Sequence, residues 1–372
     1  MQKKDNLRLL ISKSCVELGR KVNFSLQRLR NDAVDRIVPM EESVFANGEA
    51  KVVLKESVRD ADVYYMTDVN NWGCTYRMHE IVNHMSPQDH FHNIVSTVSA
   101  VRGHSSKFTV IEPLLYSSRQ HRRKGRESLD CAIALQELTD MGVDCIMTVD
   151  AHDPNVQNAI PRTSFENLYP SHYILEAILD NEDIDYSKVM AISPDYGATE
   201  RTIYYANILG CPMGTFNKRR DYSKVVNGQN AIVSHEYNGG SVKGKNLFIV
   251  DDMIASGGSI IDTATRLKQK GAANIYFIAS FCLFTSGIEK FDQAYEQGLF
   301  KAIYTTNGTY IPEEFKQRPW LKVVDIAPYI AEVIDAMNKG ESISDLLNGR
   351  NKKLVLAREV SSRKKETNKR GK

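Results

Sequence analysis

The sequence predicts an α/β protein of mostly parallel sheets flanked by helices, and three observations carry that reading. Short apolar runs recur along most of the 372 residues, amphipathic segments of helical length separate most of them, and several runs end in an acid-rich or glycine-bearing turn before a helix begins. The length falls in the two-domain range, and 42% hydrophobic residues allow substantial cores.

Strand-like runs lie at 7–12, 62–68, 108–115, 145–152, 189–195, 212–217, 246–252, 274–284 and 302–306. The helix at 86–102 is marked by Ser86 as a cap and Pro87 at its first position, and that at 127–141 by Gly142 beyond its end. Helical spacing also marks 172–181, 198–209, 258–270, 286–297 and 328–339. The polar cluster PRTSFENLYPSH (161–172) is the expected crossover between domains.

Charge is balanced, with 48 Lys and Arg against 46 Asp and Glu and a formal net charge of +2, so no global bias toward nucleic acid exists. The basic excess gathers at 352–372, which reads as a disordered tail. Six cysteines without a C-x-x-C pair point to free thiols in a reducing compartment. No run approaches the roughly 18 apolar residues of a membrane span, and the start lacks the long apolar core of a signal peptide. A cytoplasmic protein is expected.

Residues 248–264, FIVDDMIASGGSIIDTA, place Asp251 and Asp252 at the end of a buried run and Gly257 and Gly258 before a helix. In open α/β sheets, ligands bind outside the carboxyl ends of strands, and a helix start attracts phosphate. Ser256 and Ser259 add hydroxyls, while the two carboxylates would repel a bare phosphate. A sugar phosphate answers both halves of the turn; a solvated capping turn is the competing reading.

Four other stretches carry polar density near strand ends. TVDAHDPNVQNA (148–159) offers Asp150, His152 and Asp153 to a hard metal or a phosphate, or simply a helix start capped by Asp153 before Pro154. AISPDYGATER (191–201) gives Asp195 a metal or ribose role and Arg201 a phosphate role. NKRRDYSK (217–224) aims cations from a strand end, and SSRQHRRKGRESLD (117–130) has the profile of a mobile cationic loop able to close over a polyphosphate. GGSVKGKN (239–246) mimics a P-loop but lacks its Ser or Thr and precedes a strand, so it reads as a turn.

In this order, VFANGE (44–49), SRQHRRKGRES, TVDAHDPNVQ, ISPDYGATER, NKRR, VDDMIASGGS and the terminal APYIAEVI and SISDLL resemble the ribose-phosphate pyrophosphokinases, over about residues 42–347. The resemblance implies two phosphoribosyltransferase-like domains: 1–168 on the ATP side, completed by a helix at 328–347, and 169–327 on the ribose 5-phosphate side. It leaves 351–372 outside. It implies transfer of the β,γ-diphosphoryl group of ATP to the anomeric hydroxyl of ribose 5-phosphate, with Mg2+ required, and a homo-oligomer, commonly a hexamer, with no membrane or nucleic-acid partner expected.

By the same resemblance Phe45, Asn47 and Glu49 read adenine, and Arg119 and Gln120 continue the nucleotide site. His152 and Asp195 are metal ligands, Lys218 and Arg220 catalytic cations, and Arg122 and Arg126 belong to the closing loop. Asp251 and Asp252 face the ribose hydroxyls, and Ala255, Ser256, Gly257, Gly258 and Ser259 cradle the 5-phosphate. The chain departs from the family pattern at His121, where Asp is usual, and at Ser128, Ala198 and Ala255. A non-catalytic regulator of the same fold is the alternative, and a phosphoribosyltransferase, which would leave VFANGE and 118–128 without a purpose, ranks below it.

Overall fold

The computed structural model describes residues 5–101, 103–123, 125–226, 229–348 and 355–364, without the side chains of 218–235 and 348. The chain divides into two compact units. One comprises Met1–Pro170, Asn307–Pro312 and Asp325–Asn348, and the other Ser171–Thr306, Glu313–Val324 and Gly349–Lys372.

The first unit opens with β1 (Leu7–Ile11) and α1 (Val16–Arg30), then the hairpin β2 (Met40–Val44) and β3 (Ala50–Leu54) and the buried strand β4 (Asp62–Met66). A second hairpin, β5 (Thr75–Met78) and β6 (Ile81–His84), precedes α2 (Pro87–Val101) and β7 (Lys107–Glu112). α3 (Asp130–Asp140), β8 (Cys145–Val149) and β9 (Ser164–Leu168) complete this part. The sheet runs β1-β4-β7-β8-β9, parallel throughout.

Alternation along the strands sends Leu10, Val63, Tyr65, Val110 and Ile146 into one core with Ile94 and Val98 of α2 and Leu135 and Leu138 of α3. The start of α2 follows the expectation. Ser86 Oγ accepts from the Asp89 amide at 3.2 Å, and Asp89 Oδ2 accepts from the Ser86 amide at 2.8 Å, a reciprocal cap ahead of Pro87.

The second unit begins with α4 (Ser171–Asn181), β10 (Val189–Ser193) and α5 (Thr199–Leu209). The long antiparallel pair β11 (Met213–Val226) and β12 (Gln229–Gly239) follows, then β13 (Asn246–Ile254), α6 (Gly258–Gln269), β14 (Asn274–Cys282) and α7 (Glu289–Glu296). β15 (Ala302–Thr306), α8 (Glu313–Lys316) and β16 (Leu321–Val324) end it. The sheet order is β12-β11-β10-β13-β14-β15-β16, parallel except for β12.

Two stretches return to the first unit. Residues 307–312, expected with the second domain, attach there because the buried Asp68 accepts from the Tyr310 amide at 2.7 Å and from the Thr309 hydroxyl. α9 (Ala327–Lys339) packs against α1, where the Arg30 guanidinium meets Asp335 at 2.7 Å, and α10 (Ser344–Asn348) follows.

Part of the tail expected to be disordered differs from that expectation, while 351–354 and 365–372 lie outside the described residues. Residues 355–364 are helical, and Leu356 and Val360 are buried in the second unit's core beside Ile174, Ile178, Tyr205 and Ile208. An i, i+4 apolar pair that finds a groove gains more from burial than its basic neighbours lose, which composition alone could not foresee. All six cysteines are free, four of them buried, and among the described residues no helix is long and apolar enough to cross a membrane.

Candidate functional site

In the second unit β10 continues through α5 to β11 on one side, while β13 continues through α6 to β14 on the other. The strand order therefore reverses between β10 and β13, and the crevice at such a switch point is where open α/β sheets take ligands. The register shows how it opens. β13 pairs with β10 only as far as Ile249, yet stays paired with β14 to Ile254. Asp251 and Asp252 therefore stand where β10 has diverged.

Asp252 is buried, Asp251 is half-buried, and the Asp252 amide donates to Asp251 Oδ1 at 2.9 Å. Burial raises the Asp251 carboxyl well above the usual range, and the charges of Asp252 and Asp195 push it further. Three carboxylates thus gather at one strand-end crevice. Asp195 itself closes the turn into α5, its Oδ1 accepting from the Gly197 amide at 2.9 Å and the Ala198 amide at 3.3 Å.

After β13 the chain turns through Ala255 and Ser256 to Gly257, the residue that caps α6 with φ 81°. A side chain is excluded there twice over, because a Cβ would fall 2.1 Å from the Phe291 ring. The hypothetical Cβ of Gly258, by contrast, meets nothing within 4 Å. The first turn of α6 is thus approachable by an anion at its amino end, where a helix start favours negative charge.

Lys218 and Arg220 belong to β11 itself, not to a loop after a strand ending at 217 as the sequence suggested. β11 pairs with β10 up to Thr215 opposite Ser193, so the Lys218 backbone continues past the carboxyl end of β10. A register shift separates Arg219 from Arg220. The side chains of both candidate cations lie outside those described.

In the first unit, VFANGE forms the tip of the β2–β3 hairpin. The Phe45 amide donates to Glu49 O and the Gly48 amide to Phe45 O, each at 2.8 Å, and the Glu49 amide donates to Asn47 Oδ1 at 3.2 Å. The Phe45 ring is 52% exposed, so the turn holds it outward and free to stack. The β5–β6 hairpin braces this tip, its His79 amide donating to Ala46 O at 2.9 Å. A cavity of about 470 Å³ lies among the two hairpins and α2, with Phe45, Glu49, Lys51, Tyr76 and His92 on its walls. Tyr76 and His92 escaped sequence reasoning, since neither stands in a motif.

Arg119 and Gln120 are exposed on a short 3-10 turn beyond β7, and Arg122 and Arg126 are exposed further along the same segment. His121 turns inward from this segment, its ring edge-on to His152 with centroids 5.2 Å apart and its Nε2 3.5 Å from Asp153 Oδ2. Burial, then the neighbouring His152, hold the His121 imidazole below its ordinary pKa. Asp153 caps the turn beginning at Pro154, accepting from the Asn155 amide at 2.9 Å, as its place before a proline implied. The structure thus brings the Arg119–Gln120 segment and the His152 turn together.

A mostly parallel sheet whose switch-point crevice pairs two acids with a glycine turn at a helix start defines an α/β unit of the phosphoribosyltransferase type, here joined to a second unit with a parallel sheet. Comparison with known proteins agrees on both. Residues 7–142 match the N-terminal domain of ribose phosphate pyrophosphokinase, and residues 172–316 match the phosphoribosyl transferase domain. The chain belongs to the ribose-phosphate pyrophosphokinase family.

Among its relatives, a ribose-phosphate pyrophosphokinase of Synechococcus elongatus is 28% identical over 312 residues, covering 83% of this chain and 86% of that protein. One of Mycoplasma pneumoniae is 29% identical over 335 residues, covering 87% and 94%. The crystal structure of phosphoribosylpyrophosphate synthetase from Mycobacterium smegmatis superposes with a TM-score of 0.72 at 25% identity, covering 90% of this chain and 99% of that one.

Proposed function

We propose that the chain is an ATP-dependent ribose-phosphate diphosphokinase that makes phosphoribosyl pyrophosphate and AMP for nucleotide synthesis. The observation that carries this reading is the β10–β13 crevice, with Asp251 and Asp252 beside the Gly257–Gly258 turn, in a chain similar to such enzymes along most of its length.

Asp251 and Asp252 accept from the ribose hydroxyls, and the amides and hydroxyls of 255–259 receive the 5-phosphate. The anomeric oxygen attacks the β-phosphorus of ATP, the bridge between the α- and β-phosphorus breaks, AMP leaves, and the hydroxyl proton is released. Lys218, Arg220, Arg122 and Arg126 neutralise the spreading negative charge, and closure of the arginine-rich segment excludes water. Phe45, Asn47 and Glu49, with Arg119 and Gln120, hold the nucleotide.

His152 in the first unit and Asp195 in the second would each serve to hold Mg2+, which when bound would supply positive charge that lowers the cost of gathering the ATP phosphates. The donor chemistry suits a hard cation: Asp251 is destabilised as an anion first by burial and then by the carboxylates of Asp252 and Asp195. Among the described residues no cluster of three or more acids, histidines or cysteines forms a ready-made cage. Magnesium needs none, since it usually keeps waters and substrate phosphates in its shell. A homo-oligomer, hexameric by resemblance, and a cytoplasmic location complete the proposal.

The test is to incubate the purified chain with ATP, Mg2+ and ribose 5-phosphate and to follow AMP and phosphoribosyl pyrophosphate together. Equal, ribose-5-phosphate-dependent formation of both is expected. Binding of both substrates with neither product would overturn the catalytic reading.

A further inference from the structure

The helix at 355–364 is unexplained by the family relationship, because the matched domain ends at residue 316 and the resemblance at about 347. Its polar contacts converge on the ends of two helices. Lys364 Nζ donates to Leu209 O at 2.6 Å and to Gly210 O at 2.9 Å, at the carboxyl end of α5. Arg363 Nη1 donates to Leu179 O in the last turn of α4. The last carbonyls of a helix have no partner within it and carry the negative end of its dipole, so a cation there both satisfies and neutralises them. Val360 and Leu356, one and two turns back, are buried in one apolar cluster with Ile178 and Ile208 of the same two helices.

We propose that this terminal helix is a clasp that positions α5, and through it the Asp195 turn of the ribose-phosphate crevice. α5 is a single rigid helix of about 16 Å. Its carboxyl end is held by Lys364, while its amino end carries the turn closed by Asp195 Oδ1. It packs on β10 and β13, the two strands that flank the crevice. A shift allowed at Leu209 is therefore delivered to Asp195, beside Asp251. Lys364 and Arg363 are positioning residues, two cations of the basic tail that work against helix ends within the protein.

The proposal rests on the reading of the crevice as a ribose 5-phosphate site, and the test separates the two. Full-length wild type, Lys364→Ala, Lys364→Arg and the Leu356→Ala/Val360→Ala pair are compared by hydrogen–deuterium exchange without substrates, then by steady-state kinetics. Lys364→Ala and the apolar pair should speed exchange at both ends of α5, residues 195–198 included, and leave peptides of the first unit unchanged. KM for ribose 5-phosphate should rise about 5-fold with KM for ATP unmoved, and Lys364→Arg should restore both readouts.

Faster exchange confined to 206–210 with KM unchanged would reduce the helix to a local cap and overturn the proposal. So would wild-type exchange in every variant. An inactive wild type would overturn the synthetase reading alone, leaving exchange at 195–198 to decide the clasp.

Discussion

Glu112 closes β7 with a buried side chain, and the Tyr116 amide donates to its Oε2 at 2.9 Å. Burial outweighs that bond and pushes the carboxyl from 4.5 up to about 7. Across this window the folded chain keeps a proton that the unfolded chain has released. Its stabilising contribution is complete below pH 4.5 and is lost as pH rises through 7. At about 1.4 kcal/mol per unit the loss amounts to about 3 kcal/mol by pH 8.

Glu112→Gln keeps an acceptor for the Tyr116 amide and cannot ionise. It should match wild type near pH 4.5 and exceed it by about 3 kcal/mol at pH 8, or roughly 6–12 °C in the melting of a unit of this size. Thermal unfolding followed by circular dichroism at both pH values, with the wild type alongside, measures the difference. Melting curves displaced equally at the two pH values would refute burial of the charge as the cause.

Four further outcomes are expected. Asp251→Asn removes a carboxylate held against burial and two like charges, so the substrate-free protein should melt higher at pH 8 while ribose 5-phosphate saturation is lost; a lower melting point would contradict the electrostatic account. Gly257→Ala puts a methyl against Phe291 at φ 81° and should cost about 2 kcal/mol or more, with ribose 5-phosphate affinity falling alongside, as calorimetry would show. Phe45→Ala, at an exposed tip, should leave stability within about 0.5 kcal/mol of wild type and raise KM for ATP several-fold; an unchanged KM would remove the ring from nucleotide binding. Lys218→Ala should slow turnover on the order of 10²-fold, and full activity would take it out of the mechanism.

The main parallel strands and the glycine turn before α6 were legible because their signals are local. Phe248 to Val250 is a fully buried strand whose apolar run needs no context, and Gly257 advertises a backbone angle that other residues resist. The β5–β6 hairpin was missed for the converse reason. Its turn is made by His79 at φ 47° and Glu80 at φ 63°, residues that give no glycine or asparagine signal, and its strands expose Ile81 and Val82 without an apolar–polar alternation. β12 escaped likewise, its one short apolar run, AIV, set among polar residues.

The tail makes the stronger point about what composition can decide. Nine basic residues in its last stretch outweighed Leu356 and Val360 in any reading by average character, yet two apolar side chains one turn apart are enough when a groove and two helix ends await them. A lysine in sequence is a charge seeking water; at the end of α5 it is a donor with two carbonyls to satisfy. The same inversion holds at His121. In the sequence it is only a departure from the family pattern in a cationic loop, whereas the fold turns it inward against His152 and Asp153, where it ties the start of the loop to the turn after β8. Departures from a family pattern thus become interpretable once the partners they met in folding are known.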